Sequence, residues 1–288
     1  MVGDLHCHTN YSDGSMQLEH IILYAKQIGL DCLAITDHDT MGGTAKAVLL
    51  GEKIGVKVIP GMEMSCYDPD TGRKVHLLCY FPLRPEALRP LLDELLKSRS
   101  HANRESIRLM QQYHPITEEM VVRHAGSIEQ VQKCHIMHAL LDLGLDYQIY
   151  GEMYRHHFSP GAKEHCYYPT QYINIHDAVR AVRESGGISV MAHPGEYNSI
   201  ELLDKLSSDG WLDGAEVYHP AHSEEQRRQI LDIARRDNLI ITGGTDFHGY
   251  YSVPSKINPL GSFTTDNENI ERIFALYYKR MREGFEKK

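Results

Sequence analysis

One strand-like run after another in this chain ends on a histidine, aspartate or glutamate, and that repeated ending restricts the fold more than any other feature. Cys32-Leu33-Ala34-Ile35-Thr36 leads into Asp37-His38-Asp39, and Val56-Lys57-Val58-Ile59-Pro60 leads into Gly61-Met62-Glu63. Ile188-Ser189-Val190-Met191-Ala192 leads into His193-Pro194-Gly195, and Gly214-Ala215-Glu216-Val217-Tyr218 ends at His219. Leu239-Ile240-Ile241-Thr242 is followed by Gly243-Gly244-Thr245-Asp246-Phe247-His248. The opening run carries His6 and His8, which an extended strand projects together, with Leu5 and Cys7 on the other face. A further run, Val75 to Phe81, carries His76. Helical stretches between the runs point to parallel βαβ units. A parallel barrel gathers its strand C-termini on one face, where active sites are built. Any one of these histidines alone reads as a hydrogen-bonded structural residue, and His-x-His by itself is a weak signal. The converging set reads as a metal site.

The helical stretches follow from apolar spacing and punctuation. Ser15 to Ile28 has Leu18, Ile21, Ile22, Ala25 and Ile28 on one face, with Gly29 as a stop. Thr44 to Lys53, Asp177 to Glu184, Ser199 (as cap) to Leu206 and Asn267 to Gly284 read likewise. Ser223-Glu224-Glu225-Gln226 has the form of a capping box opening a helix to Arg236. From about Arg84 to Pro169 the strands stop, and Pro90–Tyr113, Glu118–His124, Ser127–Leu143 and Gln148–Arg155 read as helices. This is a helical insertion or, alternatively, a set of long barrel helices with unrecognised strands.

A chain of 288 residues suits one α/β barrel with a modest insertion. Its net charge of −9 argues against a broad basic surface for long duplex nucleic acid. It leaves open a phosphorylated substrate whose charge is met by metal ions. The six cysteines have no paired short spacing and read as reduced thiols of a cytoplasmic protein. No basic-then-apolar signal segment opens the chain, and no run of about 18 apolar residues reads as a membrane span. The oligomeric state is left open.

Asp4-Leu5-His6-Cys7-His8, Ile35-Thr36-Asp37-His38-Asp39, Pro60-Gly61-Met62-Glu63, His76, Ala192-His193-Pro194-Gly195 and Thr245-Asp246-Phe247-His248-Gly249 resemble, in order, the motifs of the polymerase and histidinol phosphatase (PHP) superfamily. The resemblance spans nearly the whole chain. It implies an α/β fold, a distorted (β/α)7 TIM-like barrel over 1–99 and 169–288, with two or three divalent ions (Mn, Fe or Zn). The segment 100–168 resembles the helical insertion of the nucleotide-acting subgroup, as does Glu216-Val217-Tyr218-His219-Pro220.

Carried over by position, the resemblance implies one metal held by His6, His8, Glu63 and Asp246. It implies a second on Glu63, His76 and His193, bridged by Glu63, and a third on Asp13, His38 and His248. Many relatives have His near the place of Asp13, which puts the occupancy of the third position in doubt. Asp37 and Asp39 read as supporting partners or caps. Arg104, Lys133, His135, His219 and His222 are the candidates for substrate phosphate. Arg104 and Lys133 read equally well as a solvated helix face. Relatives often carry Arg-Pro-His where this chain has Lys133-Cys134-His135, and Lys cannot make a bidentate fork. Glu63, Asp246 and His219 are the catalytic candidates, His219 to position phosphate or protonate the leaving oxygen. Tyr150, Tyr154 and Tyr168 read as base-stacking residues or as subdomain core.

The expected reaction is hydrolysis of a phosphate ester by a metal-bound hydroxide, on a nucleotide such as a 3′,5′-bisphosphate or on a short oligonucleotide end. Three alternatives stand beside it. The first is a histidinol-phosphate phosphatase. The second is a C–N-cleaving amidohydrolase, though those enzymes usually bridge their metals with a modified Lys. The third is a non-catalytic PHP module, which loss of ligands would mark.

Overall fold

The computed structural model describes residues 1–253 and 258–286. In chain order the elements are β1 (Gly3–Cys7), α1 (Leu18–Gln27), β2 (Cys32–Ile35), α2 (Thr44–Ile54), β3 (Lys57–Tyr67), β4 (Lys74–Tyr80) and α3 (Arg89–Met110). Then come α4 (Glu118–Ala125), α5 (Lys133–Asp142), α6 (Glu152–Phe158), β5 (Ile173–Asn174), α7 (Ile175–Glu184) and β6 (Ile188–Met191). The chain ends with α8 (Ile200–Ser208), β7 (Gly214–Tyr218), α9 (Glu224–Arg236), β8 (Ile240–Gly243) and α10 (Asn267–Glu286).

The strands join in the order β1-β2-β3-β4-β6-β7-β8, with short β5 pairing β3. The sheet nearly closes on itself, because His8 N–H donates to the Phe247 carbonyl (3.0 Å) just past β8. The result is a distorted TIM-like barrel. A closed sheet has two faces to bury, and the chain supplies both. Leu5, Ala34, Ile59, Leu78, Val190 and Ile240 of different strands pack in one cluster with Ile270 and Ile273 of α10. Leu33, Ile35 and Val58 turn the other way, onto Ile21 and Ile22 of α1. Alternation along each strand produces this split, and α1 and α2 are amphipathic to match it.

Three expectations need correction. The sheet is not wholly parallel: β4 runs antiparallel to both β3 and β6. The reversal carries His76, near the start of β4, to the same end as the C-termini of the parallel strands. Leu5 and Cys7 do not share a face, since Cys7 packs with Leu18 and Ile21. The register of β1 against β2 shifts between Asp4 and Cys7, which breaks strict alternation. Ser199 sits at the start of α8 without capping it, its hydroxyl donating instead to the Pro194 carbonyl (3.1 Å). The Ser223–Gln226 capping box is formed as expected.

Helices α3 to α6 pack around their own apolar cluster, including Ile107, Met110, Val121, Met137, Leu140 and Phe158. The expected helix Ser127–Leu143 is divided, a 3₁₀ turn at Ile128–Gln130 preceding α5. Gln132 is the reason: its side chain and that of His135 form a capping box that starts a new helix at Lys133. The expected helix Gln148–Arg155 starts later, at Glu152 in α6. All six cysteines are free and buried. Among the described residues no helix is long and apolar enough to cross a membrane.

Candidate metal centre

Strand register assembles the site. On β3, Glu63 and Ser65 point to one face, and Ser65 pairs with His76 across to β4, so Glu63 and His76 are diagonal neighbours. Ala192 N–H donates to the His76 carbonyl (3.2 Å), which sets His193 beside His76. His38 forms an isolated bridge with Glu63. His193 and Asp246 have left-handed backbones (φ 25° and 50°), an uncommon conformation for side-chain-bearing residues. Such strain, of order 1–3 kcal/mol each, clusters at functional sites, and here it lies where two strands hand over to their loops.

The two oxygens of buried Glu63 face different histidines. Oε1 lies 2.5 Å from His76 Nδ1 and 2.8 Å from His193 Nε2. Oε2 lies 3.2 Å from both His6 Nε2 and His8 Nε2, and 3.3 Å from His38 Nδ1. Asp246 Oδ1 is 3.0 Å from His8 Nε2 and 3.4 Å from His6 Nε2. Asp13 Oδ1 stands 3.3 Å from His248 Nε2, and its Oδ2 3.9 Å from His38 Nε2. The geometry thus brings all nine sequence-named ligand candidates into one cluster. His6, His8, Glu63 and Asp246 form one group with donor atoms within 4.8 Å of one another, and His8, Asp13, His38 and His248 form another.

The electrostatics suit bound cations. Burial alone would push the Glu63 carboxyl up, but the rings of His76, His38 and His6 outweigh it and hold it well below the usual range. Asp246 is likewise held down by His248 and His6 against the effect of burial. His6 is pushed well above the ordinary imidazole value because Glu216, Glu63 and Asp246 outweigh its desolvation. Yet His6 Nε2, His8 Nε2, His38 Nδ1, Asp13 Oδ1 and Asp246 Oδ1 are buried without a hydrogen-bond partner. Buried orphans are costly, and a cluster of imidazoles and carboxylates left in that state fits divalent metal ions.

Glu216, not singled out from sequence as a site residue, is the main support. Its carboxylate lies 3.1 Å from His6 Nδ1 and accepts the His193 N–H (2.9 Å). A carboxylate behind a ligating imidazole fixes its tautomer and orientation. The available signal was a glutamate in the middle of an otherwise uncharged five-residue strand. Asp37 accepts from Thr9 N–H, Thr9 Oγ–H and Ser12 Oγ–H, all at 2.7 Å, and so fastens the loop that carries His8 and Asp13. Asp39 accepts from Ser65 N–H and Oγ–H (2.7 Å) and from Arg99. Neither Asp37 nor Asp39 caps a helix.

The phosphate candidates divide. Lys133 lines a cavity of about 420 Å³ that opens over the cluster. Arg104 is exposed on Glu118 (3.3 Å) and does not line the cavity. His135 is fully buried and spends Nδ1 on its helix cap, accepting the Gln132 N–H (3.0 Å). His222 Nδ1–H donates to the Val217 carbonyl (2.9 Å) and Nε2 accepts the Gly195 N–H (3.2 Å), so both its nitrogens serve the backbone. His219 is buried with Nε2 3.7 Å from Asp246 Oδ2. Tyr150 and Tyr154 line the cavity; Tyr168 does not and its neighbour Tyr167 does. Lys74, two residues before His76 and so on its face, also lines it and was missed.

Comparison with known proteins identifies the family. The PHP domain model matches residues 4–184. A phosphoribosyl 1,2-cyclic phosphate 1,2-diphosphodiesterase of Eggerthella lenta is 38% identical over 87% of this chain and 95% of its own. A 3′,5′-nucleoside bisphosphate phosphatase of Chromobacterium violaceum is 29% identical over 85% of this chain and 86% of its own. Among solved structures, a candidate metal-dependent phosphoesterase of Bifidobacterium adolescentis superposes with a TM-score of 0.85 at 31% identity, over 95% of this chain and 96% of that one. The order of motifs, the barrel and these relatives together place the chain in the PHP domain family, among its phosphoesterases.

Proposed function

We propose that the barrel cluster holds two divalent ions bridged by Glu63, with a third position at Asp13, His38 and His248, and that the enzyme hydrolyses a ribose or nucleoside ester bearing more than one phosphate. The observation that carries this reading is the split of the Glu63 carboxylate between His76 with His193 and His6 with His8. Bound divalent ions would polarise a phosphoryl oxygen and bring the pKa of coordinated water from 15.7 to roughly 7. His6, His8, Glu63 and Asp246 would hold one ion, and Glu63, His76 and His193 the other.

The protein's own groups handle the rest of the substrate. Lys74 and Lys133 face the cavity with aromatic rings beneath them, Lys74 over Tyr172 (5.4 Å) and Lys133 over Tyr167 (4.0 Å). Among the described residues neither has a carboxylate in salt-bridge range, which leaves both free for a phosphate away from the reacting one. The two curated relatives act, by their names, on a phosphoribosyl cyclic phosphate and on a nucleoside bisphosphate. Both are ribose-type sugars with more than one phosphate. The helical segment 100–168 acts in this reading as the substrate-covering subdomain. The six buried thiols suit a reducing, cytoplasmic compartment.

His219 is positioned to donate a proton. Ala221 N–H donates to its Nδ1 (3.1 Å), so a neutral His219 carries its own proton on Nε2, directed toward Asp246. We expect His219→Gln to lower kcat about 10²-fold on a sugar leaving group and far less on a p-nitrophenyl ester, whose leaving oxygen needs no proton. Equal losses on both would sink the acid role. For Lys133, burial and then the Lys74 charge pull the amine down to about 8. The cation is present below that pH and lost above it. KM for a doubly phosphorylated substrate should therefore rise about tenfold from pH 7 to 9, and Lys133→Met should be high and flat across that range. A wild-type KM that does not change from pH 7 to 9 would overturn this role.

The deciding experiment compares turnover by the manganese-loaded enzyme on phosphoribosyl 1,2-cyclic phosphate, adenosine 3′,5′-bisphosphate, a short 5′-phosphorylated oligonucleotide and histidinol phosphate. Preference for either of the first two supports the reading. Preference for the oligonucleotide moves the substrate to nucleic-acid ends, and preference for histidinol phosphate overturns it.

A further inference from the structure

The helical segment carries a second His and Asp cluster that the barrel chemistry does not use. His138 and Asp142 are four residues apart on α5 and therefore share a face. His124 reaches them from the last turn of α4, which Gly126 ends in a left-handed conformation (φ 79°). His124 Nε2 lies 2.8 Å from Asp142 Oδ2. The rings of His124 and His138 stack 3.9 Å apart at 10°. One donor atom from each of the three residues lies within 4.8 Å of the others.

We infer that His124, His138 and Asp142 form a separate binding site for one zinc-type divalent ion, bracing α4 against α5. Two imidazoles and one carboxylate are a common zinc donor set, and they leave a fourth position for water at this half-exposed surface. A supporting group is also in place: the second ring contact of His138 is through Nδ1 to the Tyr251 hydroxyl. Ligating histidines are typically held by such a partner on the other nitrogen. Tyr251 lines the catalytic cavity, so the ion would also fix one wall of the substrate site. The competing partner for Asp142 is Arg123, 4.0 Å away and largely exposed, a pair worth little.

The test is equilibrium dialysis of the manganese-loaded holoenzyme against zinc, with metal content measured for wild type, His124→Gln and Asp142→Asn. Zinc exchange into the barrel is common to all three, so the difference between them isolates the helical site. Wild type should retain one more zinc per chain than either variant, and Glu63→Gln should keep that zinc. Identical zinc counts in wild type and both variants would overturn the site. A second measurement needs no mutation: zinc should protect His124 and His138 from diethylpyrocarbonate, read by mass spectrometry. Unchanged modification of both residues would also overturn it.

Discussion

Glu63→Gln should lower kcat/KM by about 10³-fold or more, equivalent to roughly 4 kcal/mol of transition-state stabilisation. The substitution keeps the shape and removes one negative charge from the centre of five imidazoles. An amide cannot present two equivalent anionic oxygens, so both histidine groups lose their shared partner. Metal content measured on the same preparation separates cause from consequence. We expect at least one fewer tightly bound ion per chain, with the thermal transition still cooperative. Full activity in Glu63→Gln would remove this carboxylate from the mechanism. Loss of activity with metal content unchanged would reassign Glu63 to proton handling.

Gly244→Ala should have the second largest effect, and it acts through the backbone. A Cβ built at Gly244 would lie 2.4 Å from His6 Cβ and 2.5 Å from His6 N. Neither atom is the far end of a flexible side chain, so the contact has to be relieved by moving β1 away from the loop after β8. Overpacking of this kind costs about 3 kcal/mol at the upper end of its usual range. That seam is where the barrel closes and where His6 meets Asp246, so stability and metal affinity should fall together. Differential scanning calorimetry with and without metal checks it. An unchanged Tm together with unchanged metal affinity would mean that the seam is looser than its geometry implies.

Most of the barrel was legible because local rules govern it. The runs that became β2, β6, β7 and β8 are short, apolar and bounded by turn residues, and tertiary packing did not override them. The failures have specific physical causes. The reversal of β4 follows from its connection: the six residues 68–73 after β3 are too few for a parallel crossover, a local signal that the strand–helix alternation around it obscured. The break between Ile128 and Lys133 depends on a side-chain capping box that competes with helix continuation. The phosphate candidates His135 and His222 carry the right chemistry, but both nitrogens of His222 and Nδ1 of His135 are taken by neighbouring backbone, and His135 is fully buried. A sequence shows which donors exist and does not show which are already satisfied.

By itself the sequence determined which residue types stand at the strand ends, and therefore that His6, His8, His38, Glu63, His76, His193, Asp246 and His248 could meet on one face. Strand period and strand-end position are short-range properties, set within a few residues. Only the tertiary structure decided how they meet. It divided the Glu63 oxygens between two histidine groups, placed Glu216 behind His6, turned Lys74 and Lys133 into the cavity, and left Arg104 on the surface. Those outcomes depend on contacts between residues far apart in the chain, where register, closure and competing hydrogen bonds settle which atoms remain free.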